Sequence, residues 1–185
     1  MIRIENITFA YKGQSKKVFE DFSLTFEKNK IYGLLGKNGT GKSTLLYLMA
    51  GLLRPKSGTV TVNGMKATDR CPAMLSDLFI VTEEYDLPSV KLDTYVKTTA
   101  PFYPNFSREV LDQCLKDFQL EGNIKLNELS MGQKKKVVMS FALASGTSIL
   151  LMDEPTNGLD IPSKSQFRKV IANYMTEDRT LIIST

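Results

Sequence analysis

Ile31-Tyr32-Gly33-Leu34-Leu35-Gly36-Lys37-Asn38-Gly39-Thr40-Gly41-Lys42-Ser43-Thr44-Leu45-Leu46-Tyr47-Leu48-Met49 reads as strand, glycine loop and helix in succession. Residues 31–35 form an apolar run, residues 45–49 are helix-prone, and residues 36–43 between them carry the spacing of a phosphate cradle, Gly, four residues, Gly-Lys-Ser. Glycine lets successive backbone N–H groups turn inward without a Cβ clash, and the helix that follows aims its positive end at an anion seated there. Lys42 suits the β- and γ-phosphates, and the Ser43 hydroxyl suits Mg²⁺. The plain alternative is a glycine-rich helix entry with no ligand. It gives no reason for Lys42 and Ser43 to stand together.

Composition sets the bounds. With 185 residues, 42% apolar and 24% charged, the chain is expected to fold as one globular domain with room for a small inserted lobe, which excludes the fibrous and disordered classes. The 24 lysines and arginines exceed the 20 acids, giving a net charge of +4; this is mild, calls for no nucleic acid, and fits an anionic substrate. Cys71 and Cys114 lack metal-ligand spacing and nothing at the start resembles a signal peptide, so a reducing cytosol is expected. No apolar run approaches the length of a membrane span, and any membrane role is expected to pass through a partner.

The first third is strand-rich: residues 2–9, 22–26, 31–35 and 59–62, then 78–81. From residue 92 to residue 144 the period becomes helical, with Val110, Leu111, Cys114, Leu115 and Phe118 expected on one helix face and Pro101 and Pro104 interrupting the lobe. A buried strand at 148–152, an amphipathic helix marked by Phe167, Val170, Ile171, Tyr174 and Met175, and a strand at 181–183 complete an α/β core with a helical insertion. There is no internal repeat and no low-complexity tract.

Two further motifs carry chemistry. The strand at 149–152 runs into Asp153-Glu154-Pro155, putting two carboxylates at its C-terminal edge, where α/β sheets bind ligands; one acid suits Mg²⁺ and the other suits a water attacking a γ-phosphate. Alone, they are also a pair of strand-end acids entering a proline turn. Leu129-Ser130-Met131-Gly132-Gln133 opens the helix before that strand. Ser130 with Gln133 is a capping box that any helix can use, and the same helix start is equally an anion site. The run Lys134-Lys135-Lys136 is expected to form a solvated face rather than a nucleic-acid contact.

In order, the glycine cradle, the LSMGQ helix start, LLMDEP and Thr156-Asn157-Gly158-Leu159-Asp160 resemble the nucleotide-binding domain of ABC ATPases, from Tyr11 to the last residue. The resemblance implies a P-loop NTPase core, a mixed sheet with an N-terminal antiparallel β subdomain, at residues 1–83 and 145–185, and a helical signature subdomain at 84–144. It implies ATP and Mg²⁺ as cofactors. Gly36, Lys37, Asn38, Gly39, Thr40, Gly41, Lys42, Ser43 and Thr44 would contact ATP, with Tyr11 stacking on the adenine; an ordinary strand-end tyrosine is the alternative for Tyr11. Ser43, Asp153 and Glu83 would serve the metal, Glu154 would be the general base, and Lys42 would hold phosphate. Ser130, Met131, Gly132, Gln133 and Asp160 would contact the ATP held by a second copy in a head-to-tail dimer, although Asp160 equally suits a helix cap beside Pro162. The helical subdomain would receive a transmembrane permease subunit. The chain itself would be cytoplasmic and peripheral at the inner face of the cell membrane, powering transport and in all expectation export.

Two departures stand out. Glu83 occupies the position where the family usually has glutamine, which bears on how the lobe couples to the site. The chain contains no histidine, whereas the family's switch histidine should follow Thr185 directly. The expectation is a truncated chain, missing the C-terminal part of the family fold, that binds Mg·ATP and hydrolyses it weakly. A soluble ABC ATPase acting on ribosomes or DNA is the alternative class, but no coiled-coil insertion, zinc cysteines or second cassette supports it. A GTPase or small kinase lacks support because no Asn-Lys-x-Asp motif follows a strand.

Overall fold

The computed structural model describes residues 1–84, 86–120 and 124–185. Tyr85 and residues 121–123 of the anticipated lobe lie outside the described residues. In chain order the elements are β1 (Ile2–Phe9), β2 (Phe19–Phe26), β3 (Ile31–Leu34), α1 (Lys42–Met49), β4 (Ser57–Val62), β5 (Met65–Lys66), α2 (Pro72–Leu75) and β6 (Leu78–Val81). They continue as α3 (Leu92–Thr99), α4 (Arg108–Asp117), α5 (Met131–Ala144), β7 (Ile149–Met152), α6 (Ile161–Tyr174) and β8 (Thr180–Ser184).

The strands form two sheets rather than one. The order β2-β1-β4-β5 is wholly antiparallel and the order β3-β8-β7-β6 is wholly parallel, so the expected mixture of directions is realised by two separate sheets. In β1 the buried side is first Ile2 and Ile4, then Ile7 and Phe9. The change of phase comes from a bulge at Asn6, whose left-handed φ of 50° is stabilised by hydrogen bonds to Ser23 and Asp21. β2 begins three residues earlier than the sequence suggests, because its outer residues are exposed and lack a clean alternation.

In the parallel sheet all four residues of β7 are buried, as expected of a strand covered on both faces. One core lies under α1 and the antiparallel sheet, around Leu46, Leu48, Met49, Ile149 and Ile182. A second lies between the other face of the parallel sheet and α4, α5 and α6, around Phe118, Met139, Leu150, Phe167 and Val170. The third fills the helical lobe, with Leu92, Leu111, Leu115 and Val137 around Phe141, on which Phe79, Tyr95, Tyr103 and Phe106 pack. The five apolar residues of α4 therefore do not serve one interface: Leu111 and Leu115 enter the lobe core while Cys114 and Phe118 enter the second core, which makes α4 the seam between lobe and sheet. Among the described residues no helix is long and apolar enough to cross a membrane.

Because β3, β6, β7 and β8 run the same way, the chain leaves all four at one edge of the sheet. The glycine loop, Glu83, Asp153-Glu154 and Ser184-Thr185 are brought together there from four separate stretches of sequence.

Candidate active site

The glycine loop leaves β3 and enters α1 through Gly39 and Gly41, at φ of 81° and 99°. At Gly41 a Cβ would come within 2.7 Å of the Val18 side chain, so both the backbone sign and the packing require glycine. No side chain caps α1, and its first helical hydrogen bond is that of Leu45 N–H to Gly41 C=O. The amides of Lys42, Ser43 and Thr44 precede that bond and face the positive end of the helix dipole, an arrangement suited to an anion. A cavity of about 990 Å³ opens over this helix end. Tyr11, Lys16, Lys17, Lys42, Glu83 and Glu154 contribute to its wall.

Lys42 Nζ donates to the Gly36 carbonyl at 2.7 Å and lies 3.4 Å from Glu154 Oε1. A polyphosphate entering the cradle would compete with that carboxylate for the ammonium group, and each charge-assisted bond it gained would contribute about 1.5–3 kcal/mol. Tyr11 lies edge-on to Phe9 with ring centres 5.1 Å apart, and its hydroxyl is 2.8 Å from Thr44 Oγ1. The tyrosine is thus fixed beside the loop rather than free at a strand end.

At the end of β7 the two acids differ. Asp153 is only 1% exposed, and its Oδ1 accepts from Ser43 Oγ at 2.9 Å and from Ser184 Oγ at 2.6 Å. A buried carboxylate is tolerated when its oxygens are hydrogen-bonded in this way. Nearby, burial and then the Asp153 charge push the Tyr47 phenol above its ordinary pKa. Glu154 is half-buried at a left-handed φ of 43°, a conformation that costs a non-glycine residue about 1–3 kcal/mol. Its amide donates to Ser184 Oγ at 2.9 Å, and the same serine therefore holds both acids. The donor set fits Mg²⁺: the Ser43 hydroxyl and Asp153 carboxylate are hard oxygen donors side by side, and Mg²⁺ takes few protein ligands beside phosphate oxygens and water.

Glu83 follows β6 and accepts from Asn157 Nδ2 at 2.6 Å. Asn157 belongs to the loop after Asp153-Glu154, and its carbonyl accepts from Lys135 Nζ at 2.5 Å. The lysine run is therefore not a uniformly solvated face: Lys135 is buried, and Lys136 lies over the Phe118 ring at 5.9 Å. Successive helical residues are turned by about 100°, so three neighbours cannot share one environment.

The start of α5 is built from local bonds. Ser130 Oγ accepts from the Gln133 amide at 3.3 Å and Gln133 Oε1 accepts from the Ser130 amide at 3.0 Å, completing the capping box. Met131 is 72% exposed and Gly132 has only Leu159 within van der Waals range of a Cβ. Asp160 caps α6 by accepting from the Ser163 amide at 2.9 Å, two residues ahead of Pro162, and its bonds to Ser163 hold its carboxyl below the usual range. Sequence reasoning placed no role on Ser184, Asn157, Tyr47 or Lys135. Only the position of Ser184 at a strand end beside the acids offered a signal.

A parallel sheet whose carboxyl edge gathers a glycine cradle and a strand-end acid pair, interrupted by a helical lobe, defines the class of P-loop nucleoside triphosphatases. The ABC transporter family matches residues 19–157, and the chain belongs to it. The ATP-binding protein NatA of Bacillus subtilis strain 168 is 32% identical over 197 residues, spanning 100% of this chain and 79% of that protein. YtrB of the same organism is 27% identical over 185 residues, covering 100% of this chain, which spans 63% of YtrB. Among solved structures, the ATP-binding cassette MJ0796, a dimer in a post-hydrolysis state bound to ADP and Pi, matches with a TM-score of 0.83 and 25% identity over 100% of this chain and 88% of that one. The chain is thus an ABC cassette, of the ATPase class that takes ATP with Mg²⁺.

Proposed function

We propose that this chain powers transport across a membrane through a partner transmembrane subunit, and that its direction is export. The observation that carries the reading is the cluster of Lys42, Ser43, Asp153, Glu154 and Ser184, in which hydrogen bonds and the Lys42–Glu154 ion pair join the cradle to both acids. The loop amides from Gly36 to Thr44 and Lys42 hold the β- and γ-phosphates, and Tyr11 offers the adenine a ring. Ser43 and Asp153, whose oxygens lie side by side, with Glu83 in the same cavity wall, would hold Mg²⁺, which would supply charge neutralisation on the phosphate oxygens. Glu154 orients the attacking water and takes its proton as the water oxygen bonds to the γ-phosphorus, while the bond from that phosphorus to the bridging oxygen of ADP breaks.

In the proposed cycle two copies pair head to tail, so that Ser130, Met131, Gly132, Gln133 and Asp160 of one copy complete the ATP site of the other. The exposed, locally satisfied start of α5 supports this reading, as does the dimeric state of MJ0796. The lobe at 84–144 receives the transmembrane subunit, which places the chain peripherally at the inner face of the membrane. Phe102, an apolar side chain left 71% exposed on the lobe, supports that docking.

Replacing Glu154 by Gln keeps the shape and removes the base. ATP should still bind, turnover should fall by about 100-fold or more, and nucleotide-bound dimers should accumulate on size exclusion. Unchanged turnover would take Glu154 out of its role.

A further inference from the structure

Lys135 is the buried cation that the motifs leave without a task. It is 6% exposed, lies one turn inside α5, and directs its ammonium to the backbone carbonyl of Asn157, with no carboxylate among the described residues paired to it. Asn157 in turn donates its side-chain amide to Glu83. Three segments meet in this chain of bonds: the loop after β6, the loop after β7, and the helix whose start faces outward. Burying a lysine in this manner is costly, and an apolar side chain of similar volume would satisfy the packing as well or better. The charge therefore needs a reason other than stability.

The electrostatics supply one. Burial lowers the Lys135 pKa, while the charges of Glu83 and then Glu154 oppose that shift. The ammonium thus stands in the field of Glu83 and Glu154, the two carboxylates that contribute to the wall of the nucleotide cavity. An extra negative charge facing a triphosphate would oppose binding and misplace the loop unless something balanced it.

We propose that Lys135 is a positioning residue that balances Glu83 and, through Asn157, locks the start of α5 to the water-attack side of the nucleotide site. This rests on the ATPase reading above. The lock joins the lobe to the acids with one cation. Lys135 does not line the nucleotide cavity; it acts by holding Asn157, and Asn157 holds Glu83.

The test is steady-state Mg·ATP turnover in the full natural chain, with thermal unfolding in parallel. Lys135→Met should unfold at or above the wild-type temperature, keep KM for ATP within about threefold, and lose about tenfold in kcat, the range seen when members of one polar network are coupled. Lys135→Arg, which keeps charge and donors, should recover most of that loss. In the double variant with Glu83→Gln the charge to be balanced is gone, so turnover should exceed the product of the two single effects by about fivefold. The proposal is overturned if kcat of Lys135→Met is unchanged, if only KM moves, or if the two substitutions simply multiply. Should Lys135→Met not fold, Lys135→Gln is read by the same criteria. A wild-type chain with no turnover at all would instead remove the ATPase reading.

Discussion

At the carboxyl edge of the parallel sheet, Asp153 is buried and bonded to hydroxyls brought from α1 and β8, whereas at the amino end of α5 Ser130 bonds, among the described residues, within its own helix and Met131 stands in solvent. The proposed function sets both regions against phosphate, yet one is assembled from contacts distant in sequence and the other from contacts three residues apart. A site whose groups are fixed by the fold can bind ligand in a single chain. A helix start whose groups are satisfied locally and left exposed gains nothing from its own chain and is suited to complete a site elsewhere. Under the proposed function, the first region carries nucleotide affinity and the second carries nucleotide-dependent pairing.

The largest expected effect tests the first assignment. Lys42→Ala removes the ammonium beside Gly36 and Glu154 from a cradle whose remaining donors are backbone amides. Two charge-assisted bonds of about 1.5–3 kcal/mol each imply a loss of about 100-fold or more in affinity for Mg·ATP, read by titration calorimetry. Retained affinity would break the comparison at its stronger end. Next in size is Ser184→Ala, which takes one donor from Asp153 and the acceptor from the strained Glu154 amide. Turnover should fall by about tenfold and stability by about 1–3 kcal/mol, because buried partners are left unsatisfied. Turnover and thermal unfolding measured on the same protein check it.

Ser130→Ala addresses the second region. Loss of the cap should cost about 1 kcal/mol, measured by denaturant unfolding, and leave ATP affinity in dilute solution unchanged. Pairing with ATP should weaken, seen as dimers lost in sedimentation. If affinity in dilute solution fell with it, the two regions would not be separate in the way their bonding indicates.

The two regions also differ in how far the sequence discloses them. The loop at 36–43 and the capping box at 130–133 are legible because their constraints are local: glycine where φ is positive, serine and glutamine three residues apart. Ser184, Asn157 and Lys135 are not legible, because their partners lie 31, 74 and 22 residues away and are met only through strand order and helix placement. The same holds for the fold. β1 and β6 are bounded by their own composition, while the division into an antiparallel and a parallel sheet depends on pairings between distant strands. The lysine run shows the limit most plainly, since composition alone favours solvent for all three lysines and the helical turn buries the middle one.

The smallest expected effect concerns the junction between the regions. Tyr174 of α6 donates its hydroxyl to Asp117 at 2.9 Å, and Gln166 donates to the Asp117 carbonyl at 2.7 Å, tying the end of α4 to the core. Burial, and next the bond to Asp117, push the Tyr174 phenol up to about 12. A phenol whose folded pKa is raised is favoured in its neutral form. Its contribution to stability is therefore complete below the ordinary tyrosine pKa of about 10 and is lost as pH climbs from there towards 12. Cys114, raised to about 12 chiefly by burial, loses stability in the same direction, so the tyrosine must be read as a difference. Tyr174→Phe should cost about 1 kcal/mol at pH 8, for one hydrogen bond, and the gap from wild type should close between pH 10 and 12. Denaturant unfolding across that range checks it. A gap that stayed constant would mean that the Tyr174 hydroxyl does not titrate against Asp117 as its geometry indicates, and that α4 is held to α6 by the Gln166 bond and by packing.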